Sequence, residues 1–417
     1  MPISFAAVLG KLVRKGNVEV ETADGAKRIF GDGSGPPLAV KFMDRRAEWD
    51  LLVNPALTMG ELFMDGRILV TRGSLYDLLE LGAKNLVEFQ DVAWIKALEK
   101  IRVAFRGLHQ RNDRRRAKRN IARHYDNDAR LYELFLDSDL QYSCAYFAHP
   151  GLSLDEAQKA KKRHIAAKLL LNDGASVLDI GCGFGGMGLY LAGVIGAKVT
   201  GVTLSEDQFG LAKARAQRSG LANRVDFRLQ DYRDVRETFD RIVSVGMFEH
   251  VGAASYDEYF QTVRRQLKED GVMLLHSIGR NSMPGATNAW IRKYIFPGGY
   301  IPSLSEVLPA IERAGLYVTD IEILRLHYAE TLRAWRERFM ANRAEAARIH
   351  DERFCRMWEF YLAGSETSFR VDGHMVMQIQ LARRQDAVPL TRDYILEREA
   401  DLSRREAELP TVSEAAE

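Results

Sequence analysis

The stretch Val177-Leu-Asp-Ile-Gly-Cys-Gly-Phe-Gly-Gly186 constrains the fold more than any other part of this 417-residue chain. An apolar run that ends in an acid and passes directly into closely spaced glycines is how many strand–turn–helix units that hold a nucleotide-type cofactor begin. Gly181, Gly183 and Gly186 allow a tight turn and close approach of a ligand to the backbone. That spacing alone also fits a dinucleotide. Asp179 argues against one, because a pyrophosphate on this loop would meet a carboxylate at the strand end. S-adenosylmethionine brings an ammonium, a sulfonium and no phosphate, so the same acid attracts it. The loop is therefore read as a methyl-donor site rather than a ligand-free glycine turn, since strand and helix patterns flank it.

From Ala175 onward the chain alternates strand and helix patterns, with strands expected at Val177–Ile180, Lys198–Thr203, Val225–Leu229, Ile242–Val245 and Val272–Ile278. This predicts a doubly wound, Rossmann-like α/β domain, in which ligands bind outside the carboxyl ends of the strands. Asp179, Thr203, Asp231, Glu249 and His276 stand at those ends. The second strand runs into Val202-Thr-Leu-Ser205 rather than into an acid that would take a ribose, which weakens the dinucleotide reading further. Asp231 and Tyr232 follow the third strand, where a polar group and an aromatic face suit an adenine; either fits a surface turn equally well.

The length predicts two or three domains. Residues 1–98 read as a smaller α+β module, with small antiparallel strands around Asn17–Thr22 and Leu38–Phe42 and helical spacing at Met59–Met64 and Leu75–Leu86. Residues 99–124 form a basic helical linker, with Arg111, Arg114, Arg115, Arg116, Lys118 and Arg119 opposed only by Asp113. That run is either a solvated charge face or a patch drawn to anionic lipid headgroups, each cation contributing on the order of 1 kcal/mol. Nucleic acid is the weaker partner, because no aromatics interleave with the cations. The methyl-donor domain spans 125–385, and 386–417 reads as a charged, exposed or dimer-packing helix with a polar tail. Net charge of +2 and 46% hydrophobic residues describe an ordinary globular protein. Three scattered cysteines exclude a disulfide framework or zinc cluster and favour a reducing compartment. No apolar run reaches the roughly 20 residues of a membrane span, and no signal-peptide pattern follows Phe5–Leu9. A cytoplasmic protein is expected.

Gln141-Tyr-Ser-Cys-Ala-Tyr-Phe147, Val177–Gly183, Gly201-Val-Thr-Leu-Ser-Glu-Asp-Gln208, Gly246-Met-Phe-Glu-His-Val-Gly252 and Leu274-Leu-His-Ser-Ile-Gly279 together resemble the cyclopropane-fatty-acyl-phospholipid synthase family. The likeness runs from about Ile121 to Arg383, and its specificity lies in the ordered set. It implies a class I methyltransferase that uses S-adenosylmethionine and bicarbonate and acts on an unsaturated phospholipid acyl chain, peripherally at the inner membrane face, as a homodimer. It places Tyr142 and Ser143 on the cofactor; Gly181, Cys182 and Gly183 beside its methionine portion; Thr203, Leu204, Ser205 and Gln208 near the ribose; and Asp231 with Tyr232 near the adenine. For bicarbonate it implies Cys144 and Ile278 through their backbone, and Glu249, His276 and Tyr328 through side chains. Each has an ordinary structural alternative. One position departs from the pattern: many family members carry cysteine where Ser365 stands, so no covalent role is carried onto it.

An alkene is a poor nucleophile, so the sulfonium methyl has to be held in line with the double bond at near-attack distance. Closing a three-membered ring then requires a base beside the new methyl and exclusion of water. Trp290, Tyr294, Phe296, Tyr300, Trp335 and Phe339 suit either a tunnel for the acyl chain or ordinary core. Alternatives remain: a related acyl C-methyltransferase with a branched or methylene-bearing product, a small-molecule methyltransferase, and a lipid-sensing protein that no longer turns over.

Overall fold

The computed structural model describes residues 5–87 and 129–408, so the basic linker expected at 99–124 falls outside them. The chain divides into two compact units that do not follow chain order. One comprises Met1–Arg106, Gly285–Pro297 and Tyr328–His374; the other comprises Gly107–Pro284, Gly298–His327 and Met375–Glu417.

In the first unit, strands β1 (Val18–Glu21), β2 (Lys27–Phe30), β3 (Leu38–Phe42) and β4 (Ile68–Arg72) form a sheet in the order β2-β1-β3-β4. The expected antiparallel arrangement holds for β1 with β2 and for β3 with β4, but β1 and β3 run parallel. The reason is non-local: β2 folds back on β1 as a hairpin, and the chain then returns to the far edge of β1. Alternate residues Val18, Val20, Leu38, Val40 and Phe42 face a core closed by Phe5 and Leu62. The helix Arg45–Val53 is capped by Asp44, whose carboxylate accepts from Ala47 N at 2.8 Å. This module is not self-contained. Phe63 and Leu75 pack with Ala363 and Phe360 from the long helix Glu352–Arg370, and the Trp290 indole N–H reaches Met64 Sδ at 3.2 Å.

The second unit is built on a seven-stranded sheet in the order β10-β11-β9-β8-β5-β6-β7. Its strands are β5 (Ser176–Ile180), β6 (Lys198–Thr203), β7 (Val225–Leu229), β8 (Phe239–Val245), β9 (Leu267–Arg280), β10 (Tyr317–Leu324) and β11 (His374–Ala382). The five expected strands are all present and mutually parallel; β10 and β11 are two more, paired antiparallel. Being covered on both faces, the central strands are apolar in both directions. Leu178, Ile180, Ile242 and Met273 face a layer containing the helices Tyr256–Gln266 and Leu304–Ala314. Val177, Val243 and Leu274 face the other layer. The C-terminal helix Asp393–Glu408 lies on that second layer: Ile395 and Leu402, seven residues apart on one stripe, are buried in it. The expectation of an exposed helix is thus corrected on that face, while Leu396 stays exposed. Its Glu406 accepts from Arg163 Nε at 3.0 Å and Tyr190 OH at 2.6 Å.

Candidate active site

Strand order reverses between β5 and β8, and there a cleft opens at the carboxyl ends of the parallel strands. Of the twelve residues expected to hold the cofactor, eleven line it: Tyr142, Ser143, Asp179, Gly181, Cys182, Gly183, Thr203, Leu204, Gln208, Asp231 and Tyr232. Ser205 instead caps the helix Glu206–Arg218, its hydroxyl accepting from Gln208 N. Gly181 has a φ of +79°, and a Cβ there would stand 2.7 Å from the Met247 side chain, so backbone and neighbour both require glycine. Thr203 Oγ1 donates to Gln208 Oε1 at 3.0 Å, fixing the two across the strand-to-helix turn. Asp231 Oδ1 accepts from Arg233 Nε at 2.9 Å, which ties the turn after β7 to itself.

Asp179 is the telling group. Burial pushes its carboxyl up to about 7, against the pull of the Lys161 ammonium, and its Oδ2 is buried without a hydrogen-bond partner. A leftover buried carboxylate oxygen facing a cleft is what an ammonium-bearing ligand would satisfy. Cys182 is buried, which drives its thiol pKa up and makes it an inert wall.

Residues without an assigned role hold Gln141 and Ser143, which line the cleft. Lys161 is fully buried and donates to Gln141 Oε1 at 2.6 Å and Ser143 Oγ at 2.8 Å. Gln158 Nε2 donates to the Ser143 carbonyl at 2.9 Å. Both come from the helix Leu154–Lys168, which starts with a Ser153–Glu156 capping box. The only sequence signal was a glutamine and a lysine three positions apart in a helix rich in charged residues.

The residues expected at bicarbonate divide. Glu249 lies in a short turn, Phe248–His250, whose neighbours Met247 and His250 line the cleft. Its Oε1 accepts from Ile278 N at 2.7 Å, so that N–H is engaged by the carboxylate; its Oε2 is buried without a partner, and burial raises its pKa to about 7. His276 sits within β9, two residues before Ile278 and on the same face. Burial drives its pKa well down, which keeps the ring neutral, and its Nε2 is likewise buried and unpartnered. Cys144 is buried beside Ser143, its Sγ donating to the Ala145 carbonyl at 3.3 Å. Tyr328 belongs to the other unit, where its ring packs on Trp335 and Phe369. Trp290, Tyr294, Phe296, Trp335 and Phe339 also belong to that unit. Tyr300 is buried in the second unit, donating to Glu306 at 2.6 Å. Ser365 is half-buried midway along the helix Glu352–Arg370.

The sheet order, the cleft at its switch point and the orphaned acid define a class I S-adenosylmethionine-dependent methyltransferase. The sequence model described as mycolic acid cyclopropane synthetase matches residues 112–379, and a second, described as a domain of unknown function (DUF7884), matches residues 5–91. The chain belongs to this cyclopropane synthase family. It is 39% identical over 337 residues to the cyclopropane-fatty-acyl-phospholipid synthase of Escherichia coli K12, covering 80% of this chain and 85% of that protein. It is 41% identical over 286 residues to tuberculostearic acid methyltransferase UfaA1 of Mycobacterium tuberculosis, covering 66% and 67%. Among solved structures, mycolic acid cyclopropane synthase CmaA1 complexed with SAH and CTAB superposes with a TM-score of 0.60 at 34% identity, covering 63% of this chain and 97% of that one.

Proposed function

We propose that the protein is a cyclopropane-fatty-acyl-phospholipid synthase, which converts the cis double bond of a phospholipid acyl chain into a cyclopropane. The observation that carries this reading is the pair of leftover polar atoms, Glu249 Oε2 and His276 Nε2, buried among residues of β9 and the turn that borders the cleft. A hydroxyl acceptor also gives up a proton, but one that water can carry away; ring closure needs a base beside the added methyl group, because the acyl chain offers none and water has to be kept out.

S-adenosylmethionine supplies an electrophilic methyl on sulfur, and the overall change is alkene plus donor to cyclopropane, S-adenosylhomocysteine and one proton. Asp179 and the glycine loop orient the donor by charge and close backbone approach. The Ser143 hydroxyl, held by Lys161, lines the same cleft. Bicarbonate supplies a base small enough to share the site. Glu249 and His276 fit it as holders: a neutral imidazole N–H donates to an oxyanion, and a carboxyl near neutrality either donates or accepts. The Cys144 backbone joins the proposed set on the family pattern. The phospholipid substrate, attachment to the inner membrane face and a dimer belong to the same reading. No helix among the described residues is long and apolar enough to cross a membrane.

A second reading is favoured by the identity to a tuberculostearic acid methyltransferase: the same alkene methylated to a branched or methylene-bearing chain. Mass spectrometry of lipids from cells that express the protein tests both. Cyclopropane formation adds one CH2 and removes the ozonolysis-sensitive bond; a product that still cleaves on ozonolysis, or that carries two further hydrogens, overturns the proposal.

A further inference from the structure

Strand β11 carries glutamine at 378 and 380, both buried, on the face opposite Met377, Ile379 and Leu381. Buried amides have to be paired, and the pairing of Gln378 is informative. Its Oε1 accepts from Lys168 Nζ at 2.8 Å, and its Nε2 stands 3.2 Å from His276 Nδ1. An ammonium can only donate, so the amide oxygen faces Lys168 and the amide nitrogen faces the histidine. A ring nitrogen that receives an amide N–H is bare. Burial, reinforced by the cations Lys161, Lys168 and His164, keeps the ring neutral, so its single proton resides on Nε2, the atom buried without a partner.

Lys168 is itself locked. It donates to Glu322 on β10, the residue directly opposite Gln378 across the β10–β11 pair. Glu322 also takes His164 Nε2 at 2.7 Å, and His164 Nδ1 meets Glu399 of the C-terminal helix at 2.7 Å. Burial would raise the Glu322 carboxyl, but the hydrogen bond from His164 and the charges of His164 and Lys168 hold it down to about 2. The ammonium thus has a fixed counter-charge, and the amide has one stable orientation.

We infer that Lys168 and Gln378 are positioning residues that set His276 in its Nε2–H tautomer, presenting a hydrogen-bond donor to an oxyanion of the bicarbonate or carboxylate class. This rests on the assignment of His276 to the reaction, and the experiment separates the two. In protein labelled with 15N-histidine, the His276 ring signals are identified among nine histidines by their loss in His276→Asn. Wild type is expected to show Nε2–H. Gln378→Glu replaces the donor with an acceptor, so the ring is expected to switch to Nδ1–H. kcat is expected to fall about 10–100-fold, the range for groups that orient a functional side chain through its second nitrogen, with cofactor Kd and lipid KM little changed. An Nδ1–H tautomer in wild type, or no switch in the variant, overturns the inference. A switched ring with unchanged kcat keeps the hydrogen-bond chain and removes His276 from the reaction. Should Gln378→Glu fail to bind cofactor, the wild-type spectrum and Lys168→Met decide: the tautomers should mix in Lys168→Met, and an unmixed spectrum there overturns the role of the ammonium.

Discussion

The cofactor cleft and the Glu249–His276 cluster border each other in one unit, yet they are built by different means. The cleft is made from backbone: a strand end, a glycine turn with positive φ and a helix start, with its residues drawn from short stretches of chain. The cluster is made from side chains that meet across long separations, such as Ile278 with Glu249, Gln378 with His276 and Lys168 with Gln378. Backbone geometry absorbs most side-chain changes. A cluster of buried ionisable groups does not, because each removed partner leaves another polar atom without one.

This contrast is sharpest at Glu249. Glu249→Ala is expected to lower kcat by about 10²–10⁴-fold while calorimetric cofactor affinity stays nearly constant; a parallel loss of affinity would mean that cleft and cluster are a single site. Asp179→Asn should do the reverse, weakening S-adenosylmethionine by about 10–100-fold. The sign with pH follows from its raised carboxyl: affinity in wild type should climb from about pH 6 to about pH 7.5 as the group ionises through about 7, and the asparagine variant should show no such rise. A flat wild-type titration would remove Asp179 as the counter-charge. The smallest effect belongs to Glu399→Gln, expected to cost about 1–3 kcal/mol in denaturant unfolding. Burial would depress His164, but its bonds to Glu322 and Glu399 raise its pKa above the ordinary value. The stabilisation is therefore complete below the unfolded value of about 6.5 and fades as pH rises through the higher folded one. The wild-type advantage over Glu399→Gln should shrink accordingly with increasing pH; an advantage that grows would break the assignment of a charged His164.

The same contrast explains what could be read in the sequence. Five parallel strands and the cleft residues Asp179, Gly181, Gly183, Thr203, Asp231 and Tyr232 were legible from local patterns: apolar runs, a strand-end acid, spaced glycines; Tyr142, Ser143, Cys182 and Leu204 came only with the family resemblance. β10 and β11 were not. Asp320 and Glu322 interrupt one and Gln378 and Gln380 the other, so neither gives a continuous apolar run, and the reason for those polar residues is a helix more than 150 positions away. Likewise, the parallel pairing of β1 with β3 depends on which strands meet, which short-range alternation does not encode. The motif residues Glu249 and His276 stood out by resemblance, whereas Lys161, Lys168 and Gln378 look like surface or strand filler until their partners are known.

The interleaving of the two units along the polypeptide has a further consequence. Six segments alternate between them, so the backbone passes from one to the other five times. No single cut can release the amino-terminal module intact. A fragment ending near residue 98 would leave Phe63 and Leu75 without Phe360 and Ala363, and the underside of Gly60 and Met64 without the Trp290 indole. Such a fragment would present bare hydrocarbon to solvent and self-associate, so exchange of this module between relatives requires the distant helix and the Gly285–Pro297 segment, with its helix Ala289–Tyr294, to travel with it.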